Sequence, residues 1–200
     1  MAIITISRQY ASEGKFFAQD LARALNYSYV DKEIYKKVAE KENLSIDELK
    51  ALESITGLGI DFFQKLIDND YIKRIVGKKD LTFEHNEVIE AINKTIIEFA
   101  KKGNVVIVGR ASQCILKEFL NTFHIKIVRE FQERVELLMK RGITKDGAIS
   151  TIKRKDEERK NYIKKFYNCN WEAPELYHIT INLTKVNYKK GIEIVKNLIS

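Results

Sequence analysis

The sequence predicts an α/β protein: one domain spanning residues 1–200, in which a five-stranded parallel sheet lies between two helical layers. Three observations predict it. Five short apolar runs alternate with amphipathic segments long enough to cross back over a sheet, and parallel neighbours need such crossovers. The clearest run, Val105 to Val108, is apolar at every position, as a strand covered on both faces must be. The first run ends in a polar loop that carries Gly14-Lys15 and opens into Ala18, Leu21, Ala22 and Leu25 at helical spacing.

The elements follow in order. Ile3 to Ile6 form the first strand and the loop up to Gly14-Lys15 leads into the first helix. Asn26 to Asp31 is a short second strand, followed by a helix over Lys32 to Lys41. Residues 45–102 read as helical: Ser45-Ile46-Asp47-Glu48 is a capping box, and Gly57 and Gly59 interrupt. Phe62, Phe63, Leu66 and Ile67 mark a further helix. Val88, Ile89, Ile92, Ile96 and Phe99 mark a long one that stops at Lys101-Lys102-Gly103. The third strand precedes Gly109-Arg110. The fourth, Phe123 to Val128, precedes a helix with Phe131, Val135 and Leu138 turned in and Arg134, Lys140 and Arg141 turned out. Gly142 ends that helix, and Gly142 to Lys165 reads as two helices with a bend. A loop over Phe166 to Tyr177 holds the single Trp and the single Pro. His178 to Leu183 is the fifth strand, and Val186 to Ile199 closes the chain with Ile192, Val195 and Leu198 on one face.

Composition sets several classes aside. The hydrophobic share is 44% and the charged share 32%, with no apolar run long enough to span a bilayer. The start lacks a basic segment ahead of its apolar run, so no secretory signal is read there. Two cysteines, Cys114 and Cys169, make neither a disulfide framework nor a metal site, and a cytoplasmic setting is expected. The three histidines have no zinc-ligand spacing. The net charge is +7, and residues 140–165 hold ten Lys or Arg against four acids. Such a segment suits an anionic partner, either nucleotide phosphates or nucleic acid. Alternatively it is a solvated helix face with Asp156–Lys160 and Lys153–Glu157 pairs at four-residue spacing.

The chemistry lies at the strand ends, where parallel sheets gather ligands. The Gly14-Lys15 corner stands at a helix N-terminus, whose N–H groups and dipole attract anions. Against the phosphate-loop pattern, Ser7 stands where the first Gly belongs, Phe16 where a metal-binding hydroxyl belongs, and Glu13 brings a negative charge. Asp31 is either a helix cap or a site carboxylate. Arg110 is placed to grip a phosphate with two parallel hydrogen bonds or to pair with a surface acid. Trp171 either stacks on a base or closes its loop onto the core. Together with Arg141, Arg154 and Arg159 in the late basic segment, these are the parts needed for phosphoryl transfer.

The chain resembles the cytidylate kinase-like family, a branch of the nucleoside monophosphate kinases, nearly end to end. The resemblance rests on Ile4-Thr5-Ile6-Ser7-Arg8-Gln9-Tyr10 with Ser12 and Gly14, on Tyr29-Val30-Asp31-Lys32-Glu33, and on Val106-Ile107-Val108-Gly109-Arg110. It continues through Ile152 to Arg159, Phe166-Tyr167, Trp171, Pro174, Tyr177 and Ile181-Asn182. It implies a P-loop kinase fold with a helical acceptor-binding region over residues 31–102 and a basic lid over residues 142–165. ATP with Mg²⁺ would be the donor, and a pyrimidine monophosphate, CMP first, the acceptor. Ser12, Gly14 and Lys15 would touch donor phosphates. Asp31 would lie near the acceptor or the metal's water shell, with Arg110 and Arg8 on the acceptor. Lys15, Arg141, Arg154 and Arg159 would serve catalysis. No metal ligand is assigned. Small-molecule nucleotides are the expected partners, nucleic acid and membranes are not, and no oligomeric state is implied. The chain departs from the family pattern at Ala11-Ser12-Glu13-Gly14, where Gly-Ser-Gly-Gly is usual. It departs again at Ala111, where an Asp follows Gly-Arg in cytidylate kinases.

Overall fold

The computed structural model describes residues 1–42 and 81–199, with only the backbone described at residue 42 and residues 81–88. Strand β1 (Ile3–Arg8) leads through a loop into α1 (Gly14–Leu25), and β2 (Ser28–Val30) leads into α2 (Glu33–Glu42). Helix α3 (Leu81–Lys102) returns to β3 (Val105–Val108), which is followed by the short α4 (Ser112–Ile115). Then come β4 (Thr122–Val128), α5 (Phe131–Met139), α6 (Lys145–Tyr167), a 3₁₀ turn at Pro174–Leu176, β5 (Ile179–Asn182) and α7 (Tyr188–Ile199). The capping box at Ser45, the interruption at Gly57 and Gly59 and the helix at Phe62 to Ile67 lie outside the described residues.

The strands make one sheet in the order β2-β3-β1-β4-β5, with every pair parallel. Alternation along each strand explains the two layers, because successive side chains point to opposite faces. Ile3, Val105 and Ile107 meet Ile34, Val38, Ile92 and Ile96 of α2 and α3. Ile4, Ile6, Val106 and Val108 meet Phe17, Leu21 and Val195 of α1 and α7. Each of these side chains stabilises the fold by about 1.5–3 kcal/mol when fully buried. The register aligns Ile3 with Val105 and Ile6 with Val108, so β1 runs two residues past the end of β3, and its last residue, Arg8, reaches over Gly109 there.

The basic segment differs from expectation. It is one helix of 23 residues, with Thr144 capping its start through a hydrogen bond from the Gly147 N–H. A bend needs a cause, and no proline stands inside α6 while its glycine lies in the first turn. The helix is also docked at both ends. Ala148 and Ile152 pack on Val135 and Leu138 of α5. Tyr162 and Ile163 pack with Trp171, Ala111 and Cys114.

Three side chains are placed opposite to their expected side. Arg134 is buried, at 5% exposed, while Phe131 is 38% and Leu198 43% exposed. Arg134 turns in because an acid and a backbone carbonyl wait for it there, as described next. His124 and His178, far apart in sequence, stand with ring centroids 5.2 Å apart, and Thr5 Oγ1 lies 2.8 Å from His124 Nδ1.

Candidate active site

The loop after β1 is built from its own side chains. Ser12 Oγ donates to Gln9 O (2.9 Å) and accepts from the Gly14 N–H (3.4 Å), so Ser12 is a buried brace of the turn. Ala11 and Glu13 both adopt left-handed conformations, at φ 57° and 65°. Such a backbone is costly for any residue with a Cβ. Glu13 makes no side-chain cap on α1. Its carboxylate is instead held 2.7 Å from the guanidinium of Arg129, at the end of β4, which also reaches Glu133 at 3.4 Å. The negative charge that the sequence puts into a phosphate loop is therefore neutralised within the fold.

Two glycines make room for one arginine. A Cβ at Gly14 would stand 2.6 Å from Arg8 Cβ. A Cβ at Gly109 would stand 2.0 Å from an Arg8 terminal nitrogen. Gly109, Arg110 and Ala111 are three consecutive left-handed residues, at φ 76°, 57° and 53°. That turn redirects the chain at the end of β3 and carries Arg110 across the strand ends. Strained backbone of this kind gathers at functional sites.

Arg8, Arg110 and Arg159 line one cavity of about 370 Å³, with Ser7, Tyr35, Gln113, Lys155, Glu158, Tyr162 and Trp171 among the other wall residues. The Arg110 guanidinium stacks over the Tyr35 ring at 4.1 Å. Arg8 lies 4.0 Å from Asp31, whose carboxylate also accepts from the Tyr29 hydroxyl at 3.2 Å. Trp171 is buried, and its indole N–H donates to Ser7 Oγ at 2.7 Å, so it closes its loop and forms cavity wall at once. Burial and then the charge of Arg8 lower the proton affinity of Arg110, to about 10, and of Arg159, to about 9. Both values stand above neutral pH. Three like charges crowded in a partly dry cavity are unfavourable when it is empty, and an anion with several oxygens relieves them.

A second network ties this cavity to the loop. The Tyr10 N–H donates to Asp156 Oδ1 at 2.7 Å, and Arg134 donates to both Tyr10 O and Asp156. Arg159 donates to Arg8 O at 2.9 Å and lies 3.5 Å from Asp156. Asp156 is thus paired with Arg134 and Arg159, not with Lys160 as helical spacing suggests.

Of the residues singled out from sequence, the structure brings Arg8, Arg110 and Arg159 together with Asp31 beside them. Ser12 and Gly14 sit in the loop. Lys15 is exposed on the first turn of α1 and does not line the cavity, and Arg141 is exposed after α5. Arg154 is 52% exposed and paired with Glu158. Arg129, Tyr35 and Gln113 are not named in the sequence reading, and Arg134 and Asp156 are named there only as groups on outward helix faces. The Asp156-x-x-Arg159 spacing was the one available signal, since residues three apart share a helix face.

A metal finds little at the loop. The position after Lys15 is Phe16, 49% exposed, and among the described residues no group of three or more His, Cys, Asp or Glu could hold an ion. No helix of the described residues is long and apolar enough to cross a membrane.

Comparison with known proteins agrees with the fold. The sequence model of the cytidylate kinase-like family matches residues 3–185. A cytidylate kinase from Methanocaldococcus jannaschii is 32% identical over 112 residues, covering 54% of this chain and 62% of that protein. The chain spans less than two thirds of the length of the curated relatives it matches. Among solved structures, an uncharacterized protein from Eubacterium ventriosum superposes with a TM-score of 0.71 at 21% identity, covering 99% of this chain and 97% of the other. A shikimate kinase from Bacteroides thetaiotaomicron superposes with a TM-score of 0.52 at 12% identity, covering 98% and 97%. These two likenesses concern the fold, which is that of the P-loop kinases.

Proposed function

The chain belongs to the cytidylate kinase-like family, and from that premise we propose that it transfers the γ-phosphoryl group of ATP to CMP, dCMP or a related monophosphate in the cytoplasm. The observation that supports this reading is the convergence of Arg8, Arg110 and Arg159 on one cavity beside the loop that opens α1. Arg110 and Arg8 grip the acceptor phosphate. Arg159, which also holds Arg8 O, stabilises charge on the transferring group. The donor's phosphates face the first-turn N–H groups of α1, with Lys15 turning in from solvent. Arg141 and Arg154 join only if their side chains swing inward, Arg154 after leaving Glu158. Phe16 supplies no metal ligand, so any Mg²⁺ would be carried by donor phosphates and water, and no step is assigned to it.

Titration calorimetry with ATP, CMP, dCMP, UMP and AMP, paired with a coupled turnover assay, tests the reading. Lys15→Ala is expected to lower kcat by about a hundredfold or more with the melting temperature unchanged. Arg110→Ala is expected to raise KM for the acceptor by about tenfold or more. Wild-type-like turnover in the first variant, or an unchanged KM in the second, would overturn these roles. A second reading, nucleotide binding without turnover, is favoured by Phe16 and by Glu13, which occupies a loop position where the family pattern has glycine even with its charge paired to Arg129. It predicts binding without turnover for every acceptor, and turnover appearing in Glu13→Gly.

A further inference from the structure

Gln113 stands in the cavity wall with its whole side-chain amide idle. It is 1% exposed, and neither its amide oxygen nor its amide nitrogen has a hydrogen-bond partner among the described residues. Buried amides are nearly always paired, and an orphan marks either strain or an unfilled contact. Gln113 stands three residues after Arg110 on α4, beyond the left-handed turn that sets Arg110 over the cavity. Ala111, two residues earlier, contributes no polar side-chain atom.

We propose that Gln113 reads the heterocycle of the acceptor nucleotide, its amide pairing with an edge that offers one donor beside one acceptor. This rests on the reading of the cavity as the acceptor site. The phosphate end goes to the guanidinium cluster, and the base edge goes to the amide. Water does not reach the amide in this state, so the base engages it by easing wall side chains apart, and the release of two orphaned groups favours that step. A carboxylate at this wall would only accept. An amide turns over by half a rotation and presents donor and acceptor in either order. Cytosine offers an amino donor beside a ring acceptor, and uracil a ring N–H beside a carbonyl. Among the pyrimidine monophosphates that the family resemblance implies, the contact is therefore indifferent to the 4-substituent, with CMP and UMP binding within about fivefold of each other.

Calorimetry with CMP, UMP and ribose 5-phosphate tests this, because the last ligand keeps sugar and phosphate and lacks the base. In the unchanged protein CMP and UMP are expected to bind alike, and about tenfold or more tighter than ribose 5-phosphate. Gln113→Leu is expected to erase that gap by weakening both nucleotides, to leave ribose 5-phosphate alone, and to hold or raise the melting temperature, since it removes a buried orphan. Equal binding of CMP and ribose 5-phosphate to the unchanged protein overturns the inference. So does CMP binding much tighter than UMP, an unaltered gap in the variant, or a variant that weakens all three ligands equally. If none of the three binds the unchanged protein, the acceptor-site reading itself fails.

Discussion

Glu13 and Arg129 show how a single side chain can be misread until its partner is known. A carboxylate in a phosphate loop opposes its ligand, yet this one sits 2.7 Å from a guanidinium delivered by β4. Removing the guanidinium alone exposes the repulsion, so Arg129→Gln is expected to weaken ATP binding about tenfold. Removing both charges, in Glu13→Gly with Arg129→Gln, is expected to restore affinity to within about threefold of the unchanged protein. Glycine also relieves the left-handed backbone at this position, which limits the loss of stability from the broken ion pair. Additive losses in a calorimetric double-mutant cycle would show that the two side chains do not act as a pair. From sequence, Glu13 was legible as a departure from the phosphate-loop pattern. Arg129 was not, because contacts between residues so far apart in the chain leave no periodic trace.

At the scale of elements, α6 is the feature that local reasoning described least well. Its charge was legible, and its docking was not. Asp156 accepts from the Tyr10 N–H and from Arg134, and so fastens the helix to the loop. Asp156→Ala leaves a buried guanidinium without its acid and is expected to cost about 3 kcal/mol of stability, read as a lower denaturation midpoint with unchanged slope. Asp156→Asn keeps an acceptor for Tyr10 and is expected to cost less. A loss as large as that of alanine would assign the whole effect to charge. The strands, by contrast, were legible to within two residues at each end. Covered on both faces, β3 is apolar at every position, while β1, β4 and β5 keep apolar residues at alternate positions or better, with Thr5, His124, Lys126 and Thr180 between them. The order β2-β3-β1-β4-β5 was not legible, since sequence fixes which segments are strands and not which edges meet. Nor was α4, whose four residues are too few to show a helical period.

For the whole molecule, one buried ring, His124, contributes to the response to acid. Burial, and then the charge of neighbouring His178, lowers the proton affinity of His124 to about 4. An unfolded histidine titrates near 6.5. Between those values the unfolded chain binds the proton and the folded one does not, so stability rises with pH across that window. The contribution is fully present above about pH 6.5 and is lost as pH falls towards 4, a change on the order of 2 to 3 kcal/mol. Melting temperatures from pH 7 to pH 4 are expected to fall, and to fall less in His124→Gln. Equal slopes for both proteins would place the acid sensitivity elsewhere. The candidate site was partly legible at this scale too. Arg8, Arg110 and Arg159 were each named from the chain, but their meeting depends on two glycines and a docked helix that only the fold reveals. That meeting has a practical consequence at the bench. A hollow ringed by guanidinium groups is expected to take up sulfate and inorganic phosphate from the medium. Preparations eluted in such salts would therefore reach the assay already plugged, and kinetics recorded in phosphate buffer would measure displacement of the buffer as much as turnover of the nucleotide.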